Sequence, residues 1–335
     1  KQSMPDITLL PQLAAFFDVT VDELLGYEPN LSREQIRKIY FDLMAEFAKH
    51  PFEEVMAKSR QMAKKYYACH SFLFQICILW LNHVSLTPDP ARQTEILEEA
   101  SGLCTRIITD SRDIGLCNDA VLLKASIDLL CGKVPEVINT LEELLNPYHY
   151  SFQGETILVQ AYEMSGQREK ANKYSQYGMY THLLALIFGA VQYLSLHADN
   201  LDTCEKTIDR IDRVMEIYDL ENLHQNTAAQ FHYQAAVVYC IHQKPKMALE
   251  RIQKFASITK ALLGRDKIYL QGDSYFDSID DYFEQLDLGG NLVRDKKVIS
   301  GSVVQALENP VFDSIKDKEE FRKIKNIFTA KGESL

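Results

Sequence analysis

The chain has 335 residues, 46% of them hydrophobic, with 36 Lys and Arg against 47 Asp and Glu, a formal net charge of −11. That apolar content suits about two domains of roughly 150 residues each, and helical arrays run longer as one body. The negative balance argues against this span as a nucleic-acid-contacting surface, because Lys and Arg supply most phosphate affinity.

Seven cysteines, odd in number and scattered through apolar helical runs without a C-x-x-C pair, read as buried reduced thiols. With no signal peptide in the sequence, they suggest a cytoplasmic location. No apolar run reaches the roughly 18 residues of a membrane span. The nearest, Phe72 to Leu81, carries Gln75 and reads as a buried helix.

The first elements are two short helices. Asp6 or Thr8 can cap the first, with Pro11 in its first turn where a missing N–H costs little. Leu10, Leu13, Ala14 and Phe17 recur at helical spacing as one apolar face. Thr20 and Glu23 form a capping box for the second helix, and Val19 and Leu24 its hydrophobic staple.

The joint string from Ser3 to Leu25, with Pro5, Asp6, Leu10, Leu13, Ala14, Phe17, Val19, Asp22, Glu23 and Leu24 at fixed places, resembles the closing segment of lambda repressor/Cro-type (XRE family) helix-turn-helix domains. The resemblance implies an N-terminally truncated DNA-binding domain, residues 1–28. Its turn and recognition helix would lie upstream of Lys1, so no DNA-contacting residue is expected in this chain.

After the link Tyr27 to Asn30, Ser32 and Gln35 form a second capping box, stapled by Leu31 and Ile36. Ile36, Ile39, Tyr40, Leu43 and Phe47 continue one face until His50-Pro51 stops the helix. Beyond it, Gly and Pro are sparse and strand-like alternation is nearly absent, so the fold class is all-α.

Leu158 to Ala171 resembles a tetratricopeptide repeat: Tyr162 late in one helix, Gly166 at the turn, and Ala171 nine residues after the aromatic. Tyr239 and Ala248 repeat that spacing with Lys244-Pro245 at the turn. Gly132 and Val137 repeat it 34 residues before Gly166 and Ala171. His182 to Asp219 reads as a further helix pair, its second helix starting at Asn200. Residues 29–290 are therefore expected to form a right-handed α-solenoid of tetratricopeptide-like pairs, with 291–335 as C-terminal capping helices. Asp287 to Asn291 is expected to be its loosest break.

Catalytic signatures are missing from the sequence. There is no G-x-S-x-G, H-E-x-x-H, Walker loop or G-x-G-x-x-G, and no two of the nine histidines are four residues apart. Asp209, Asp212, Asp280 and Asp281 read as solvated helix faces. No catalytic residue, metal or cofactor is assigned.

By resemblance to tetratricopeptide repeats, the concave groove is lined from the first helix of each pair. Counting back from Tyr162 gives Gln153, Thr156 and Gln160, and from Tyr239 gives Gln230 and Tyr233, with Asn226 one turn earlier. Gln192 and Tyr193 hold the corresponding place in the pair between. Amides suit a peptide main chain, and the tyrosines add apolar contact and a hydroxyl. The two resemblances together are similar to peptide-responsive transcription regulators. They imply a homodimer that binds operator DNA through the missing N-terminal region and senses a signalling peptide or other effector. The alternative is a protein-interaction adaptor without DNA binding.

Overall fold

The structure is a computed structural model that describes residues 6–21, 24, 30–145, 153–265 and 268–332, with backbone alone at 143, 153, 154 and 330–332. Among these residues the protein is all-α, and its one extended pairing is an isolated antiparallel bridge between Tyr269 and Asn291. The chain divides into two compact units, Lys1–Asn146 and Pro147–Leu335.

In the first unit the Asp6 carboxylate accepts from the Thr8 N–H at 2.9 Å and starts a 3-10 turn, Ile7–Leu9, that runs into α1, Leu10–Phe16. Pro11 occupies the first turn of α1, as its missing donor allows. Of the expected apolar face, Ala14 is buried and Leu10 and Leu13 are partly covered, but Phe17 is exposed. Phe17 stands past the last helical residue, where helical spacing no longer fixes its direction. A new helical turn follows Thr20, whose carbonyl accepts from the Leu24 N–H at 2.9 Å. Glu23 of the expected capping box and the link Tyr27 to Pro29 lie outside the described residues.

The capping box at Ser32 is present in α2, Arg33–Phe47. The Ser32 hydroxyl accepts from the Gln35 N–H at 3.3 Å, and the Gln35 side-chain oxygen accepts from the Ser32 N–H at 2.7 Å. Ile36, Tyr40, Leu43 and Phe47 are buried one turn apart, as their spacing requires. Then come α3, Phe52–Lys65, and α4, His70–His83, where Phe72, Leu73, Ile76, Cys77, Leu79 and Trp80 are buried around the helix. The Trp80 indole N–H donates to Ser59 Oγ at 2.8 Å, so the largest core side chain keeps its polar atom satisfied. α5, Pro90–Asp110, α6, Ile114–Leu130, and α7, Val134–Leu144, complete the unit. From α4 onward each helix packs on the next.

The second unit comprises α8, Gln153–Met164; α9, Arg168–Leu196; α10, Leu201–Ile217; a single turn, Leu220–Leu223; α11, Gln225–Ile241; and α12, Pro245–Leu263. α13, Asp280–Gln285, α14, Lys296–Leu307, a 3-10 turn, Pro310–Ser314, and α15, Glu319–Gly332, follow.

Two sequence expectations are corrected at α9. No break separates residue 181 from His182: α9 is one helix of 29 residues. Gly178 and Gly189 lie inside it and are carried by tertiary packing, which outweighs a cost of about 1 kcal/mol per glycine. α9 is also long and apolar enough to cross a membrane, with a mean hydropathy of 1.4 over 18 residues. Its Tyr, Thr and His residues interrupt the apolar run and hid this in the sequence. Tyr180, Leu183, Ile187, Ala190 and Leu194 recur along it at helical spacing and are buried in the core of the unit.

Among the described residues three helix pairs share one turn, and α1 ends in the same geometry, with φ of +55° at Asp18 and the Val19 N–H reaching back to the Ala14 carbonyl at 3.0 Å. α6/α7 belong to the first unit, and α8/α9 and α11/α12 to the second. At the turn residues Gly132, Gly166 and Gln243, φ is +76°, +75° and +53°. The next N–H in each case reaches back five residues: Lys133 to Asp128, Gln167 to Tyr162 and Lys244 to Tyr239, at 2.9, 2.8 and 2.8 Å. This paired closure of a left-handed residue satisfies the last helical carbonyls and reverses the chain at once. Gln243 holds a conformation that glycine adopts without strain and an L side chain reaches at a cost of about 1–2 kcal/mol.

α11 is the centre of the second core. Ala228, Phe231, Ala235, Ala236, Val238 and Tyr239 are buried where it packs on α9, α12 and the 3-10 turn. The C-terminal segment joins the same core through Phe312, Phe321, Ile324 and Phe328. Asp287 to Asn291, expected to be loose, is tied down: the Leu270 N–H donates to the Gly290 carbonyl at 2.8 Å. A Cβ at position 290 would lie 3.0 Å from the Leu270 oxygen, so glycine permits the approach.

Candidate ligand-binding groove on helix α11

The capped start of α11 decides which side chains face outward. His224 Nδ1 accepts from the Thr227 N–H at 3.3 Å, fixing the helix start, and burial lowers the pKa of His224 and keeps it neutral. With Ala228, Phe231 and Ala235 turned to the core, Asn226, Gln230, Tyr233 and Gln234 fall on the opposite stripe. They line a groove of about 330 Å³, closed by Phe255, Thr259 and Leu262 of α12 and by Ile299, Ser302 and Val303 of α14.

Asn226, Leu262, Arg294 and Ile299 also border a second cavity of about 270 Å³, so the two hollows adjoin. Tyr269, Leu270 and Asn291 line that second part, beside the isolated bridge. From Asn226 to Gln234 the helix rises about 12 Å, which about four residues of extended peptide would span.

Three of the seven residues expected from the sequence meet here: Asn226, Gln230 and Tyr233. The Asn226 and Gln230 amides are exposed along the groove. Tyr233 contributes its ring, packed edge-on against Phe312 at 5.6 Å and tilted against Phe255 at 5.5 Å. Its hydroxyl already donates to the Ala306 carbonyl at 3.1 Å, and burial raises its pKa. Tyr233 is therefore a wall of the groove, and its hydroxyl serves the fold.

Three others lie elsewhere. Gln160 is exposed on α8, and Gln192 and Tyr193 are exposed on α9, where the Tyr193 ring tilts against His197 at 4.3 Å. It is their neighbour Val191 that faces the groove. The side chain of Gln153 lies outside the described residues. Thr156 borders a separate hollow with Glu155, His182 and Met179, across which His182 Nε2 and Glu155 Oε2 are 2.9 Å apart.

The sequence reading missed Gln234, Thr259, Arg294 and Ser302. Gln234 was findable, four residues beyond Gln230 on the same face. Arg294 and Ser302 come from a segment that returns to α11 only through tertiary packing, and no local pattern marks that return. Among the described residues Arg294 is the one cation that both hollows share, and it gives their junction a donor for a carbonyl or carboxylate.

Among the described residues, no group of three or more His, Cys, Asp or Glu is arranged to hold a metal ion. Comparison with known proteins returned no matching family model, no matching curated protein and no matching solved structure.

Proposed function

We propose that this chain is the effector-binding and dimerising body of a DNA-binding transcription regulator, and that the α11 groove receives an extended peptide. The observation that carries the reading is the groove itself: Asn226 and Gln230 present amides along one wall, Tyr233, Phe255 and Leu262 supply apolar contact, and Arg294 stands at the junction of the two hollows. An amide both donates and accepts, which matches the alternating N–H and C=O of a peptide main chain.

Support for a right-handed solenoid of tetratricopeptide-like pairs comes from the turn shared by α6/α7, α8/α9 and α11/α12. Support for the DNA-binding part is the lambda repressor/Cro-type string from Ser3 to Leu25, and the operator would be read by a recognition helix preceding it. A net charge of −11 is consistent with this span contributing sensing and assembly to the whole protein rather than the phosphate contacts.

The test is selection of a displayed random heptapeptide library on the full chain. The peptides recovered are then titrated against wild type and Asn226→Ala. Loss of the amide should weaken binding by about 1–3 kcal/mol through a lost buried hydrogen bond. Selected peptides that bind both proteins equally would contradict the groove assignment. Recovery of no binding peptide, together with retention of a folded protein when the full chain is used as bait, would favour the adaptor.

A further inference from the structure

The two adjoining hollows of the groove differ in charge from the chain as a whole. The chain holds 47 Asp and Glu against 36 Lys and Arg, yet no described carboxylate lines either hollow. Arg294 lines both, and Arg265, just past the end of α12, lines the smaller. By contrast, the hollow beside Thr156 holds Glu155, and a cavity of about 640 Å³ on the other side of α11 is lined by Asp212, Glu216, Asp219 and Glu221.

Arg294 is also left without an acid. It is partly buried, as are Arg60, Arg92, Arg106 and Arg251, each of which holds a carboxylate at 3.0 Å or less. Neither Arg294 nor Arg265 forms an ion pair among the described residues. The carboxylate next in sequence, Asp295, is committed to starting α14, where it accepts from the Lys297 N–H at 2.8 Å. Lys296 Nζ donates to the Arg265 carbonyl, which ties the end of α12 to the start of α14 and holds the two segments that carry the arginines. A guanidinium presents five donors in a planar fork and accepts from none, so one that is half covered and unpaired suits an anion with two acceptor oxygens.

We infer that this junction binds a carboxylate of the peptide, at the Asn226 end of α11, with the Arg294 fork donating to its two oxygens and Arg265 adding a second cation. The inference rests on the peptide reading of the groove, and adds the charge of the ligand and the end of α11 at which that charge is held. Two sources carry this chemistry, the C-terminal carboxylate of the peptide and the side chain of an Asp or Glu within it.

The experiment passes three pools of synthetic, N-acetylated random heptapeptides over the immobilised full chain and identifies what is retained by mass spectrometry. The first pool has a free C-terminal carboxylate and no Asp or Glu, the second is C-terminally amidated and includes Asp and Glu, and the third is amidated and lacks both. Retention from the first or second pool, and none from the third, is expected. Whichever of the two is retained identifies the source. The net charge of −11 repels an acidic peptide at long range, so such retention reports the local site. The retained peptides should bind Arg294→Gln about tenfold or more weakly, the loss expected for a hydrogen bond between charged groups. Arg294→Lys, which keeps the charge without the planar fork, should recover part of that loss. Retention from the third pool, or wild-type affinity in Arg294→Gln, would overturn this inference and leave the peptide reading standing. No retention from any pool would refute the peptide reading and this inference with it.

Discussion

The two sides of helix α11 differ in how they are built. The Asn226 side is a row of exposed amides over aromatic rings, with each side chain acting nearly alone. The side of Gln225 and His232 is a linked polar set in which Asp212, Arg251, His232 and Glu221 each depend on the next. The difference teaches that repeat-based reasoning finds positions, not networks. Counting back from Tyr239 located Asn226, Gln230 and Tyr233. Nothing in a count brings Asp212 of α10 and Arg251 of α12 together over His232 of α11.

The comparison can first be broken at its hinge. Phe231 is fully buried on the core face of α11, which supports both stripes. Phe231→Ala should lower unfolding free energy by about 3–5 kcal/mol in denaturant titration, as large core deletions do. A loss below about 1 kcal/mol would mean that α11 is not the shared support of both sides.

A smaller change separates the sides. Arg251→Met removes the guanidinium that serves Asp212 and His232, and should cost about 1–3 kcal/mol, because Asp212 is partly exposed and can rehydrate. The Asn226 side should keep its ligand affinity in this variant, whereas coupled loss on both sides would refute their independence.

The network should also give stability a pH slope. Burial lowers the His232 pKa, reinforced by Arg251 and Lys254 and opposed by its hydrogen bond to Glu221, and burial lowers that of His224. The unfolded chain therefore binds protons that the folded one refuses. The stability from these neutral histidines is complete above their ordinary value of 6.5 and is lost as pH falls through the lowered folded values. Denaturant midpoints measured across that window should drop on acidification, and His232→Gln should flatten the slope. An unchanged slope in the variant would show that His232 is not protected.

The smallest effects test the shared turn. Gly166→Ala should destabilise by about 1 kcal/mol, because φ there is +75°. Gln243→Gly, at +53°, should be neutral or stabilising by up to about 1 kcal/mol. If both substitutions move melting temperature in the same direction, the three turns are not equivalent.

Local chemistry was legible wherever it was self-contained. The Ser32–Gln35 capping box, Pro11 in a first turn, the buried stripe of α2 and the turns at Gly132 and Gly166 could all be read from neighbouring residues, because each depends on contacts within about five positions. The fusion of two expected helices into α9 was not legible. Gly178 and Gly189 look like breakers locally, and the packing of Tyr180, Leu183 and Ile187 overrides them. The groove was half legible for the same reason: one wall is a helix face with a countable spacing, and the other is Arg294 and Ser302, returned from later in the chain.

The central claim is that this helical body serves a DNA-binding regulator. The most direct measurement incubates the natural full-length protein, with any residues that precede Lys1, with a genomic DNA library at defined salt and sequences what is retained. The account predicts enrichment of a pseudo-palindrome with half-sites about one helical turn apart, the signature of a two-fold dimer. Retained DNA with no shared sequence, or no retention above background, would contradict it.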